Sequence, residues 1–200
     1  MKQLFLSAFF ICCTTIMYAQ QPKPTLYDLV KSLVTDANGY ENVGDWAVDN
    51  PKKFAVKWKE NKITMSDDTS INFFRIGIAD LTINGRSFMQ AGQPVKWNVM
   101  LKGPRSGYTS FSIVSSPLSP ELQPKFTIDS IFGKNDFKAK LLKKCDGKTL
   151  AGYYYYEVKI PKKDPVFMKL SWVWVNGNTG IRIDCFGSSS KYAAKLDCAQ

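Results

Sequence analysis

The spacing of apolar positions changes near residue 54. Upstream, "TLYDLVKSLVTDANG" places Leu26, Leu29, Val30, Leu33, Val34 and Ala37 on one face at helical spacing. Thr25 stands as an N-cap with Asp28 three residues on, and Asn38-Gly39 supplies the stop. This predicts a single N-terminal α-helix lying against a sheet. Downstream the period falls to two. "FAVKWKE" sets Phe54, Val56 and Trp58 against Ala55, Lys57 and Lys59, and "VKWNVMLK" sets Val95, Trp97, Val99 and Leu101 on one side. "INFFRIGIADLTI" and "YTSFSIVSS" also read as strands, and "PVFMKLSWVWV" and "GIRIDCF" flank an "NGNT" turn. "INGR" at 83–86 is a second hairpin signal, because Asn-Gly suits a type I′ turn. Pro117, Pro120 and Pro124 mark an irregular connection, after which "FTIDSIF" reads as a strand. "FKAKLLKKC" fits a strand or a helix, since Phe137, Leu141 and Cys145 also recur every four residues.

These elements predict a mainly β fold, an antiparallel β-sandwich or incomplete barrel of roughly nine to eleven strands with one N-terminal α-helix. The first nineteen residues stand outside it. Met1-Lys2, an apolar run from Leu4 to Met17 and Tyr18-Ala19-Gln20 form a signal-peptide pattern, with cleavage expected after Ala19. The run is short of the ~20 residues a membrane span needs, and no later segment supplies a transmembrane helix. Residues 1–19 are thus expected to be a signal peptide, 20–24 an extended leader and 25–200 a single β-rich domain. The expected location is secreted or periplasmic, and no asparagine forms an N-x-S/T sequon.

Charge and cysteines narrow the partners. The chain carries 27 basic and 17 acidic residues, a net charge of +10. Residues 134–163 hold nine lysines, three acids and no arginine. Arginine is the usual reader of phosphates and base edges, so the basic stretch reads as a diffuse cationic surface and not as a specific nucleic-acid site. A solvated, solubilising face has the same composition. Cys145, Cys185 and Cys198 remain after cleavage, an odd number that allows one disulfide. Cys185–Cys198 is the shortest closure, and Cys145–Cys198 is the alternative.

Several chemistries lack their residues. The chain has no histidine, which removes the usual Ser-His-Asp and Cys-His mechanisms and imidazole zinc sites. The mature cysteines form no C-x-x-C pair. "CDGKT" lacks the first phosphate-loop glycine, Leu142 standing in its place. "SSSK" lacks its companion motifs, and "DANGYENVGD" departs from the calcium-loop order at Tyr40 and Ala47. No cofactor or metal is expected.

The remaining candidate is "GYYYYEVKIP". If 137–145 is a strand paired with it, alternation assigns Tyr154, Tyr156, Val158 and Ile160 to the core. Tyr153, Tyr155, Glu157 and Lys159 then share a face with Lys138, Lys140 and Lys144. Tyrosine beside lysine can stack on a sugar and hold an acidic group, which makes an anionic glycan or envelope polymer the expected ligand of a non-enzymatic binding or structural domain. A protein-partner assembly role is the alternative. A carboxylate-dependent glycoside hydrolase would rest on Glu157, which alternation also places opposite a cross-strand lysine such as Lys138 or Lys140. A small outer-membrane barrel is disfavoured by the lysines recurring along most strands.

Overall fold

A computed structural model describes residues 23–35, 56–63, 72–104, 110–134, 136–145, 151–159, 161–162 and 165–186. The expected signal peptide, Ile160 and Cys198 lie outside these residues. Helix α1 spans Leu26–Thr35, followed by β1 (Lys57–Ile63), β2 (Asn72–Ala79), β3 (Met89–Gln90), β4 (Gln93–Pro94), β5 (Lys96–Pro104) and β6 (Ser110–Ser116). Helix α2 (Pro124–Phe132) precedes β7 (Lys138–Cys145), β8 (Ala151–Lys159), β9 (Val166–Val175) and β10 (Asn178–Phe186).

Eight strands form one antiparallel sheet in the order β1-β2-β5-β6-β10-β9-β8-β7, while β3 and β4 make a separate two-stranded hairpin. The expected mainly β, antiparallel fold with an N-terminal helix is formed, as one large sheet that does not close. Its edges, β1 and β7, do not pair with each other. Two meanders meet where β6 pairs with β10, and the connection carrying α2 takes the chain from β6 out to the β7 edge.

Helix α1 starts where its N-capping pattern predicts, while Ala37 and the expected stop at Asn38-Gly39 lie outside the described residues. The Thr25 hydroxyl donates to Asp28 Oδ2 at 2.6 Å, and the Asp28 amide donates back to Thr25 Oγ1 at 3.1 Å. Leu26, Leu29, Val30, Leu33 and Val34 are all fully buried, each worth about 1.5–3 kcal/mol of burial. Pro24 and Leu26 hydrogen-bond the backbone of Thr82, and Asp80 receives both Lys96 at 2.8 Å and Lys23 at 3.3 Å. These contacts clamp the helix start onto the sheet. Strand β5 buries Trp97, Val99 and Leu101 as its alternation predicts.

Both Asn-Gly turns form, with φ of 50° and 79° at Asn84-Gly85 and 50° and 78° at Asn176-Gly177. One element differs from expectation. "FTIDSIF" is helical, not extended. Pro124 occupies the first turn, where a missing N–H costs nothing, and Thr127, Ser130 and Ile131 turn inward at helical spacing. Phe126 and Ile128, which imitate strand alternation, are only half-buried.

Candidate functional site

The ambiguous segment 137–145 supplies the edge strand β7, paired with the tyrosine strand β8. Lys138 lies opposite Lys159, Ala139 opposite Val158, Lys140 opposite Glu157 and Leu141 opposite Tyr156. The register then shifts between Leu141 and Lys143, so that Lys143 meets Tyr155, Lys144 meets Tyr154 and Cys145 meets Tyr153. Directly paired residues share a face. The structure therefore brings Lys138, Lys140, Lys159, Glu157, Tyr153 and Tyr155 together on the outer face, as the alternation predicts. The bulge corrects two neighbours. An extra residue inverts the side-chain order beyond it, so Lys144 moves to the inner face beside Tyr154 and Cys145 joins the outer one.

The two faces of β8 are not what the charge pattern implies. Tyr155 is 1 % exposed and Tyr153 9 %, although both point away from the main core. With Cys145 and Phe167 they form a second, smaller apolar cluster. The Tyr155 ring stacks on Phe167 with centroids 6.0 Å apart and planes 10° off parallel, and the Lys169 ammonium lies 4.6 Å from the Tyr153 centroid. These two rings are thus packing elements and not an open platform. The Tyr155 hydroxyl is buried without a hydrogen-bond partner, and burial pushes its pKa above the usual phenol value.

On the inner face, Tyr156 packs against Phe132 of α2 at 4.6 Å, and burial likewise raises its pKa. Tyr154 is half-buried. Its ring lies 4.9 Å from that of Trp172, and the Lys144 ammonium sits 5.5 Å from its centroid. Trp172 reaches this position because Gly152, paired directly with it, has no side chain; a Cβ there would collide with the indole and lie 2.7 Å from the Cys145 carbonyl oxygen. This half-exposed Tyr154–Trp172–Lys144 group is the site the sequence reading missed. The signal available was Gly152 itself, a glycine inside a strand and the mark of a close approach.

The outer lysines carry the electrostatics. Lys138, Lys140 and Lys159 are exposed, and none of them takes part in the ion pairs formed among the described residues. Lys138 and Lys159 are like charges placed directly opposite each other, an arrangement that destabilises a sheet. Glu157 is half-buried between Lys140 on one side and Phe167 on the other, so no carboxylate stands across from it to complete a glycosidase pair. Among the described residues no group of three His, Cys, Asp or Glu side chains is placed to hold a metal.

The cysteine pairing also differs. Cys145 is disulfide-bonded, whereas Cys185 is a buried thiol and not the partner of Cys198. Residue 185 points into the main core, opposite Met168 and Phe111.

At the turn end of the β9–β10 hairpin, Val173 lies opposite Ala151, the first described residue of β8. Val173, Trp174 and Val175 are 41 %, 46 % and 43 % exposed. At its base an open cleft of about 260 Å³ is lined by Val114, Leu118, Ser171, Val173, Gly180 and Arg182, among others. Comparison with protein-family models, curated proteins and solved structures finds no match for this chain.

Proposed function

We propose that this chain is an exported, non-enzymatic domain that binds an anionic glycan or envelope polymer along its β7 edge. The observation that carries the reading is the Lys138–Lys159 pair. Two exposed ammonium groups held opposite each other, with Lys140 beside them, have among the described residues no facing counter-charge except Glu157. An anionic chain laid across them converts a repulsion into two attractions. Side chains two apart on a strand are about 6.6 Å apart, so Lys138 and Lys140 can meet successive charges of an extended polymer. On the inner side of the same edge, Tyr154 and Trp172 offer half-exposed ring faces beside Lys144, an arrangement suited to stacking on a sugar. Attraction to lysine point charges is diffuse and salt-sensitive.

The test is retention on immobilised alginate or polygalacturonate against neutral dextran, eluted with salt. Replacing Lys138, Lys140 and Lys159 together by glutamine should weaken retention about tenfold or more. Arginine at the same positions should preserve it, and Tyr154→Ala should weaken it without changing the salt dependence. Equal retention of the glutamine variant, or equal retention on neutral dextran, refutes the proposal.

A further inference from the structure

We infer that the tip of the β9–β10 hairpin inserts into the headgroup region of an anionic lipid surface. Val173, Trp174 and Val175 are consecutive, large and each more than two-fifths exposed. Three exposed apolar residues in a row are a liability for a soluble hairpin unless something uses them. Their geometry says what kind of partner. Successive strand residues point to opposite faces, so Val173 and Val175 lie on one side of the hairpin and Trp174 on the other. A protein docking against one face would leave the other wet. An arm that is apolar on both faces is satisfied by immersion, and the polar Asn176-Gly177-Asn178 turn that ends it finds hydrogen-bond partners among headgroups. The tip is also uncharged: between Lys169 and Arg182 the chain has no ionisable side chain. Three residues of strand span about 10 Å, the depth to which interfacial elements enter a bilayer, and tryptophan is the side chain that favours that boundary.

The hairpin carries its own backbone satisfaction to the end. Trp174 pairs with Thr179 and Val175 with Asn178 across the Asn176-Gly177 turn, so the hairpin's paired backbone groups enter the interface already hydrogen-bonded. The Ser119–Thr179 bridge, with N–O distances of 3.0 and 2.9 Å, braces the arm. Apolar surface continues from Val173 into the cleft beside Leu118. Cations stand behind the tip. Lys169 flanks the arm in sequence, and Lys144 lies opposite Tyr154, which lies opposite Leu170, while Arg182 on the other flank is paired with Asp184 and adds no net charge. An inserted tip brings this collar to about one Debye length from the headgroups, which selects anionic lipid.

The experiment is co-sedimentation of the purified chain with vesicles of phosphatidylcholine alone and of phosphatidylcholine with phosphatidylglycerol. The wild-type chain should partition onto the anionic vesicles and much less onto the neutral ones. Trp174→Ser, and separately the Val173→Ser, Val175→Ser double variant, should each weaken partitioning about tenfold or more. Because all three side chains are exposed, melting temperatures should stay near wild type, which separates lost insertion from lost folding. Unchanged partitioning in both variants, equal partitioning onto neutral vesicles, or no partitioning at all overturns the inference. So does a dimer in sedimentation equilibrium that Trp174→Ser dissolves while no vesicle binding is seen, since the tip is then a contact between copies.

Discussion

Tyr155→Phe should stabilise the protein. The residue is 1 % exposed, its ring lies almost parallel to Phe167, and its hydroxyl is buried with no hydrogen-bond partner. An unpaired buried hydroxyl carries its desolvation penalty uncompensated, about 1–3 kcal/mol. Removing the oxygen keeps the ring and its stacking. It forfeits a few dispersion contacts of about 0.1–0.2 kcal/mol each and leaves a void too small for water. The net expectation is a gain of about 1 kcal/mol, or roughly 2–4 °C in melting temperature for a chain of this size. Alkali supplies a second reading of the same group. Burial raises the phenol pKa, so below the ordinary value near 10 the side chain is neutral in both folded and unfolded states. Above that value the unfolded chain ionises first, and stability falls until the folded phenol also ionises. The variant lacks this loss, so its advantage should widen as pH rises past about 10. Thermal or urea unfolding at neutral and alkaline pH measures both effects. A loss of 1 kcal/mol or more at neutral pH would refute the reasoning, because it would mean that the hydroxyl is held by a partner worth more than its burial.

Asp80→Asn should cost about 0.5–1 kcal/mol at neutral pH, measured by urea unfolding. The Lys96 hydrogen bond, with help from Lys23, outweighs burial and holds the Asp80 carboxyl below its ordinary value. That contribution is complete above the unfolded pKa and is lost as pH falls through the lowered folded one, so the difference between variant and wild type should vanish in strong acid. Gly152→Ala should cost about 2 kcal/mol, because a Cβ meets the Trp172 indole and the fixed Cys145 carbonyl, whereas Gly180→Ala meets chiefly the movable end of Leu118 and should cost less than about 1 kcal/mol; paired thermal melts decide. Iodoacetamide without reductant should label Cys185 only after unfolding, and a non-reducing peptide map should find Cys145 bridged.

What was legible in the chain was what neighbours in sequence decide. The Thr25–Asp28 box closes within one helical turn, and Asn84-Gly85 and Asn176-Gly177 need no distant partner to adopt left-handed φ. The face of α1 and the alternation of β5 also follow from local period. The misread helix α2 shows the opposite case: Phe126 and Ile128 imitate a strand over three residues, and Pro124 at the first turn outweighs them only once the inward row of Thr127, Ser130 and Ile131 has something to pack on. The bulge after Leu141 is less visible still. Nothing in "KAKLLKKC" distinguishes Leu142 as the extra residue, because Leu141 and Leu142 are both exposed at an edge with no core to choose between them. The outer placement of Tyr153 and Tyr155 followed from alternation. Their burial did not, because it depends on Cys145 and Phe167, which the register of two neighbouring strands brings beside them.

The Lys138–Lys159 pair is the part of the β7 edge that protection alone does not explain. Lysine on an edge strand is a common guard against unwanted strand pairing, and that function accounts for Lys138, Lys140, Lys143 and Lys144 on β7. It accounts less well for Lys159. Strand β8 is interior to the sheet, paired with β7 as far as Lys159 and with β9 as far as Val158, so at most its last residue has an edge to guard. A neutral or acidic residue at 159 would relieve a cross-strand repulsion of about 0.2–1 kcal/mol and would leave the guard intact. Lys140, opposite Glu157, shows that the same two strands can place an acid where one is useful. Among the described residues nothing offsets a second cation facing Lys138. It becomes favourable once an anion lies between the two ammonium groups, since the repulsion that weakens the free protein is then replaced by two attractions.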